Sequence, residues 1–204
     1  MMDTAPAGTL ALFPLHTVLF PGGLLPLQIF EPRYVDLVRA CLGGRRSFGI
    51  VGIREGREAG TAAIPFDTGT HAEIVDWRQG DNGLLNILVR GSRRFRILAQ
   101  RIAPDQLITA EVAWLDPPAA RATDEEFDEL KALLHKLLEH HDAIDRFDLL
   151  TGATRAEVAY RVAELLPLST MDKTTLLAMP DDRDLLHAVR AALEQLLGAR
   201  PSLH

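Results

Sequence analysis

Cysteine is nearly absent: Cys41 stands alone in 204 residues. No intrachain disulfide can form, a cysteine-rich zinc site is excluded, and a reducing compartment fits the count. Lysine is almost as scarce, with Lys131, Lys136 and Lys173 the whole supply. A glycine-rich loop ending in Lys-Ser/Thr, the cradle for nucleotide phosphates, does not occur, and neither does a dinucleotide fingerprint. Gly43-Gly44-Arg45-Arg46 comes nearest, and reads as a helix exit. No apolar run approaches the roughly 18 residues of a membrane span. The stretch from Leu10 to Phe20 is broken by Pro14 and His16 and has no basic leader, which argues against a secretory signal. A cytoplasmic protein with no membrane partner is expected.

Positive charge is not in excess either. The chain carries a formal −6. Its first 118 residues hold 12 arginines against 12 acids, and the remainder holds 10 basic against 16 acidic residues. Neither part has the surplus that a phosphate backbone demands, so a nucleic-acid partner is not expected from charge.

What is present falls into two parts. Residues 1–118 read as β-rich, with short apolar runs punctuated by Pro and Gly: Leu10–Leu15, Thr17–Phe20, Leu24–Phe30 and Ser47–Ile53. Thr70–Arg78 and Leu84–Arg90 flank Gly80-Asp81-Asn82-Gly83 as a hairpin, and Arg94–Gln100 and Leu107–Leu115 add two strands. Such a set predicts a closed or half-closed barrel, with the proline-bearing strands at edges, bulges or bends. One helix interrupts it, opening at Glu31-Pro32-Arg33-Tyr34 with proline in the first turn and stopping at Gly43-Gly44.

After Asp116-Pro117-Pro118 the period becomes helical, and residues 119–204 read as a helical bundle. Thr123 with Glu126, and Thr154 with Glu157, have capping-box spacing. The first box precedes a face of Phe127, Leu130, Leu134, Leu137 and Leu138. Ser169 and Asp172 begin a short helix. Asp181–Asp184 place negative charge at the start of a last helix, as its dipole favours. The fold class is α+β: a β-rich pseudo-barrel followed by a C-terminal helical bundle.

Catalytic chemistry finds little footing. No serine lies in a nucleophile elbow. Ser169 is close to Lys173 but reads as an N-cap. His135, Glu139 and His140 share a helix without the paired-histidine zinc pattern, so a solvated face is the better reading and no metal is expected. Cys41 falls on an apolar stripe and reads as an inert thiol. Arg90, Arg93, Arg94, Arg96 and Arg101 form the strongest basic cluster. An RNA-facing strand edge is one reading. The other has Arg94 and Arg96 alternating outward to protect an edge while Phe95 and Ile97 point into the core. No catalytic residue, cofactor or metal is assigned.

Leu12-Phe13-Pro14-Leu15-His16-Thr17-Val18-Leu19-Phe20-Pro21-Gly22, followed by Leu25-Pro26-Leu27-Gln28-Ile29-Phe30-Glu31-Pro32-Arg33-Tyr34, resembles the opening of the N-terminal substrate-binding domain family of Lon-type ATP-dependent proteases. Gly49-Ile50-Val51, Gly69-Thr70, Ala72-Glu73-Ile74 and Val89 through Ile97 follow in the family's order, as do Leu166-Pro167-Leu168 and Lys173–Leu177. The resemblance implies a PUA-like pseudo-barrel with a helical bundle, and a non-catalytic polypeptide-binding module, an adaptor in protein quality control. It implies unfolded or degron-bearing polypeptides as partners and a protease supplied in trans, since no motor or peptidase segment occurs before His204. RNA binding by the PUA-like barrel is the alternative. The expected peptide-binding residues are Phe20, Pro21, Gly22, Leu25, Phe30, Arg33 and Tyr34, at the rim where an extended chain could add as a strand.

Overall fold

A computed structural model describes residues 8–80, 84–138 and 154–198. The chain forms two compact units. One comprises Met1–Asp116 with Ser169–Leu177, the other Pro117–Leu168 with Ala178–His204.

The first unit is built on six strands, β1 (Gly8–Leu15), β2 (Leu24–Ile29), β3 (Phe48–Glu55), β4 (Ile64–Gln79), β5 (Leu85–Ile102) and β6 (Ile108–Trp114), with helix α1 (Pro32–Leu42) between β2 and β3. The sheet order is β2-β5-β4-β3-β1-β6, and β5 also pairs with β6. Five strands therefore close into a barrel, and β2 lies outside the closure, paired with β5 alone.

Strand β5 makes this geometry. Its first half pairs with β2, Leu24 opposite Arg90 through Ile29 opposite Leu85. Its second half pairs with β6, Phe95 opposite Trp114 through Ile102 opposite Ile108. The expectation of two strands, Leu84–Arg90 and Arg94–Gln100, is corrected to one continuous strand that changes neighbours near Gly91. The run Thr17–Phe20 is not a strand; it crosses between β1 and β2.

The prolines sit where a missing donor is tolerated. Pro26 is in β2, whose second edge pairs with no described strand. Pro14 lies on β1 beyond Leu12, where the pairing with β6 ends. Pro65 pairs with Ile53 at a register irregularity between β3 and β4.

Phe95 fills the barrel centre and is fully buried. It rests on two glycines from adjacent strands: a Cβ at Gly49 would lie 2.3 Å from its ring, and one at Gly69 2.7 Å from it. Leu10, Leu12, Val51, Ile108, Ala110 and Val112 surround it. A second core forms where α1 covers the sheet. Leu37, Val38 and Tyr34 pack on Phe13, Phe48, Ile50, Ile87 and Val89.

Helix α4 (Thr170–Ala178) belongs, through Leu177, to this first unit. The Ser169 hydroxyl accepts from the Asp172 N–H at 3.1 Å, so Ser169 acts as the N-cap. The Thr170 hydroxyl donates to the His16 carbonyl at 2.7 Å.

In the second unit are α2 (Asp124–Leu138), α3 (Arg155–Leu165) and α5 (Asp182–Gly198). Both expected capping boxes form: Thr123 N–H donates to Glu126 at 2.6 Å and Thr154 N–H to Glu157 at 2.7 Å. Leu130, Val158, Val162, Leu185, Leu186, Val189 and Leu193 are buried between these helices. The group His135, Glu139 and His140, the turn at 81–83 and the side chains of Leu134, Leu137 and Leu138 lie outside what is described. No described helix is long and apolar enough to cross a membrane.

Candidate functional site

The turn Phe20-Pro21-Gly22-Gly23 is set by its sequence. Gly23 N–H donates to the Phe20 carbonyl at 2.9 Å, and Gly22 has φ 73°. Proline followed by a left-handed glycine is the pattern of a type II turn. Two further bonds clamp it on β5: Gly22 N–H to the Gly91 carbonyl at 2.8 Å, and Gly91 N–H to the Gly23 carbonyl at 2.9 Å. Phe20 is fully buried, while Pro21 and Gly22 are half-buried.

The Glu31-Pro32-Arg33-Tyr34 corner is also internal. Arg33 is 7% exposed and Tyr34 5%. The Arg33 guanidinium donates to the Gln106 carbonyl at 2.9 Å and pairs with Glu31 at 3.0 Å. Glu31 accepts from the Gly60 N–H at 3.3 Å, and the Gln106 side chain accepts from the Ala62 N–H at 3.2 Å. Gln106, with φ 68°, holds a left-handed backbone that non-glycine residues rarely adopt. Arg33 thus ties the start of α1 to the loops before β4 and β6. Tyr34 stacks on Phe13 with centroids 4.0 Å apart, and burial pushes its hydroxyl pKa up to about 12. Of the seven expected peptide-binding residues, Phe20, Arg33 and Tyr34 therefore present no side chain to a ligand, and Pro21 and Gly22 shape the turn.

Leu25 and Phe30 differ. Leu25 is half-buried on β2, and Phe30, at its end, is 61% exposed. Phe30 lines a groove of about 360 Å³ between α1 and the far ends of β2, β4 and β5, with Val35, Leu42, Trp77, Leu84 and Leu85. Trp77 is 56% exposed and also borders a second hollow of about 450 Å³ beside Pro26–Gln28. Leu24, at the other end of β2, is 55% exposed. Phe30 and Trp77, two exposed large apolar side chains lining one groove, mark an interaction surface more often than isolated ones do. Sequence reasoning missed Trp77. The signal was available: an aromatic within a run of Asp76, Arg78 and Gln79, in a protein that has two tryptophans.

The β5 arginines do not form one face. Arg90 pairs with Glu73 at 3.6 Å, and Arg93 lies 5.0 Å over the Trp114 ring. Arg94 was expected to point outward and is instead buried. It donates to the Leu177 carbonyl at 2.7 Å and to the Asp116 carbonyl. The carbonyls of a helix end and a strand end replace water for this charge. Arg96 is exposed, and Arg101 lies at the C-terminal end of β5, eleven residues beyond Arg90.

Among the described residues no group of three His, Cys, Asp or Glu is placed to hold a metal ion. The His71 Nδ1 and Ser92 hydroxyl are 2.8 Å apart, and burial lowers the His71 pKa. The Ser92 hydroxyl also donates to the His71 carbonyl at 3.3 Å, so this pair reads as a cross-strand support. Cys41 is half-buried, and burial pushes its thiol pKa up, the opposite of a reactive cysteine.

The described residues thus form a five-stranded barrel with an appended strand and an apolar groove beside α1. The family model for the ATP-dependent protease La (LON) substrate-binding domain matches residues 9–195, and the chain belongs to that family. The crystal structure of a Lon N-terminal domain protein from Xanthomonas campestris superposes with a TM-score of 0.70 at 35% identity, covering 95% of this chain and 99% of that one. The N-terminal domain of the Mycobacterium avium complex Lon protease shares the fold, with a TM-score of 0.69 at 22% identity, covering 92% of this chain and 98% of that one. A Lon protease from Parabacteroides distasonis is 28% identical over 63% of this chain and 16% of its own length. Protein cereblon from Gallus gallus is 33% identical over 47% of this chain and 21% of its own. The chain thus matches about a fifth or less of these two longer relatives, and the likeness is to a substrate-binding domain rather than to a catalytic one.

Proposed function

We propose that this protein is a non-catalytic polypeptide-binding module that holds extended apolar segments of unfolded or degron-bearing proteins in the groove beside α1. One observation carries the reading: Phe30 and Trp77, both more than half exposed, line the same apolar groove beside α1. An extended segment lying in that groove would seat apolar side chains against Phe30, Leu42 and Trp77. Of the expected residues, Phe30 remains the contact residue at the end of β2, while Leu25 packs against the core under α1. The Phe20–Gly22 turn and the Arg33-Tyr34 corner hold β2 and α1 in place. The family supports protein substrates as the ligand class. An adaptor role in cytoplasmic quality control, with a protease supplied in trans, extends that reading.

Fluorescence anisotropy with a labelled, permanently unfolded protein tests it. Micromolar binding without cleavage is expected; affinity no tighter than millimolar across a panel of such chains removes the proposal. RNA binding has weaker support, because the β5 arginines are dispersed and two of them are occupied by Glu73 and by backbone carbonyls.

A further inference from the structure

Away from the apolar groove, three arginines converge on a hollow of about 480 Å³. Arg45 and Arg46 come from the loop between α1 and β3, and Arg101 from the end of β5. Hydroxyls of Thr9, Ser47 and Thr109 share the lining. The pairing register brings them there. Arg101 is opposite Thr109, Thr109 is opposite Ala11, and the Ala11 N–H donates to the Ser47 carbonyl at 3.3 Å. Gly44, with φ 67°, turns the chain out of α1 so that Arg45 and Arg46 follow at this rim.

These arginines differ from most others in the same unit. Arg33, Arg39, Arg54 and Arg90 have carboxylate partners, Arg93 has an aromatic face, and Arg94 has carbonyls. Arg45, Arg46 and Arg101 make no ion pair among the described residues. Glu111 borders an adjoining smaller hollow with Arg101 but forms no ion pair with it. Three guanidiniums around one concavity repel one another, and a bound anion relieves that repulsion. Guanidinium forks match phosphate oxygens two at a time, and hydroxyls add neutral donors.

We propose that this hollow binds a small anion carrying two linked phosphate groups, either inorganic pyrophosphate or the diphosphate of a nucleotide. The hollow is larger than one phosphate fills, and two linked phosphate groups let the Arg45–Arg46 loop and Arg101 of β5 each engage a different group. This inference is independent of the polypeptide reading.

Calorimetric titration of the full chain with inorganic pyrophosphate, ADP and orthophosphate tests it. Pyrophosphate or ADP should bind at micromolar levels, at least about tenfold tighter than orthophosphate, and weaken steeply with added salt. ADP binding tighter than pyrophosphate identifies a nucleotide site; the reverse order identifies an inorganic one. Arg45→Gln, Arg46→Gln and Arg101→Gln should each weaken binding about tenfold, with unfolding midpoints unchanged because these side chains are exposed. No heat with either diphosphate at millimolar concentration overturns the proposal. So does an Arg101→Gln variant with full affinity, orthophosphate binding as tight as pyrophosphate, or an RNA oligomer that binds here and is not displaced by pyrophosphate.

Discussion

Gly91 sits so close to Phe20 that a Cβ on it would lie 2.1 Å from the Phe20 carbonyl oxygen. The contact is with backbone, so no side-chain rotation can relieve it. Gly91 is also where β5 leaves β2 and turns toward β6, and both of its backbone polar groups bond the Phe20–Gly23 turn. Gly91→Ala must push that turn away. A loss of about 1–3 kcal/mol in urea unfolding is expected, as for an overpacked core site. Since the turn anchors β2, affinity for unfolded polypeptide should fall with it. An alanine variant of unchanged stability shows that the turn is not seated as described.

Arg33 gives a second expectation. Its side chain is buried and bonded to the Gln106 carbonyl and to Glu31. Truncation to alanine strands Glu31 and removes a donor from a strained loop, which costs about 3 kcal/mol. Arg33→Met refills the space and should cost less. Combined with Glu31→Gln it should recover part of the remainder, because the orphaned carboxylate is gone. Denaturant unfolding of the three variants checks the order, and equal losses in all three would show that the charge pair is not what Arg33 supplies.

Much of this architecture was legible because local chemistry and final structure agree. Pro32 and Gly43-Gly44 bracket α1, Thr123 and Thr154 cap their helices, and Ser169 caps α4, each through bonds spanning a few residues. Legibility failed where partners are distant. Arg94 reads as an outward edge charge, and becomes buried because a carbonyl 83 residues away satisfies it. Gly91-Ser92 looks like a break between strands, yet the glycine is there for the close approach of Phe20. For the groove, strand alternation misleads: the register of β4 against β5 shifts between Ile74 and Asp76, which changes the face on which Trp77 emerges. Of the opening motif, the residues that carry the resemblance are mainly those that hold the barrel end together, whereas Phe30, near its end, is exposed to solvent.

His71 makes stability depend on pH. Burial holds its pKa below the ordinary 6.5, and of its charged neighbours Glu73 raises it while Arg93 lowers it further. The unfolded chain therefore takes up this proton at a higher pH than the folded one. Between the folded pKa and 6.5 the unfolded state binds more protons, so stability rises with pH across that window and is lost as pH falls through it. His71→Gln keeps a hydrogen-bonding group opposite Ser92 and removes the titration. Unfolding free energies measured from about pH 7 to about pH 5 should decline less steeply in the variant. Parallel curves for the two proteins would place the titration elsewhere.

Exposed apolar residues separate binding from folding. Phe30 and Trp77 bury less than half of their surface, so their truncation removes little of what the core contributes, and stability should change by no more than about 0.5 kcal/mol. Placed against a bound segment, each would be desolvated, and loss of such an aromatic anchor costs about 2 kcal/mol or more of binding. Phe30→Ala and Trp77→Ala should therefore weaken binding of a labelled unfolded protein by at least about tenfold while leaving the unfolding midpoint in place. Leu37→Ala, at a fully buried position on α1, should do the reverse in ordering: a loss of about 2–5 kcal/mol in stability, with affinity unchanged under conditions where the variant is folded. If Phe30→Ala and Trp77→Ala instead unfold the protein and spare the affinity, the groove is part of the core and the polypeptide binds somewhere else.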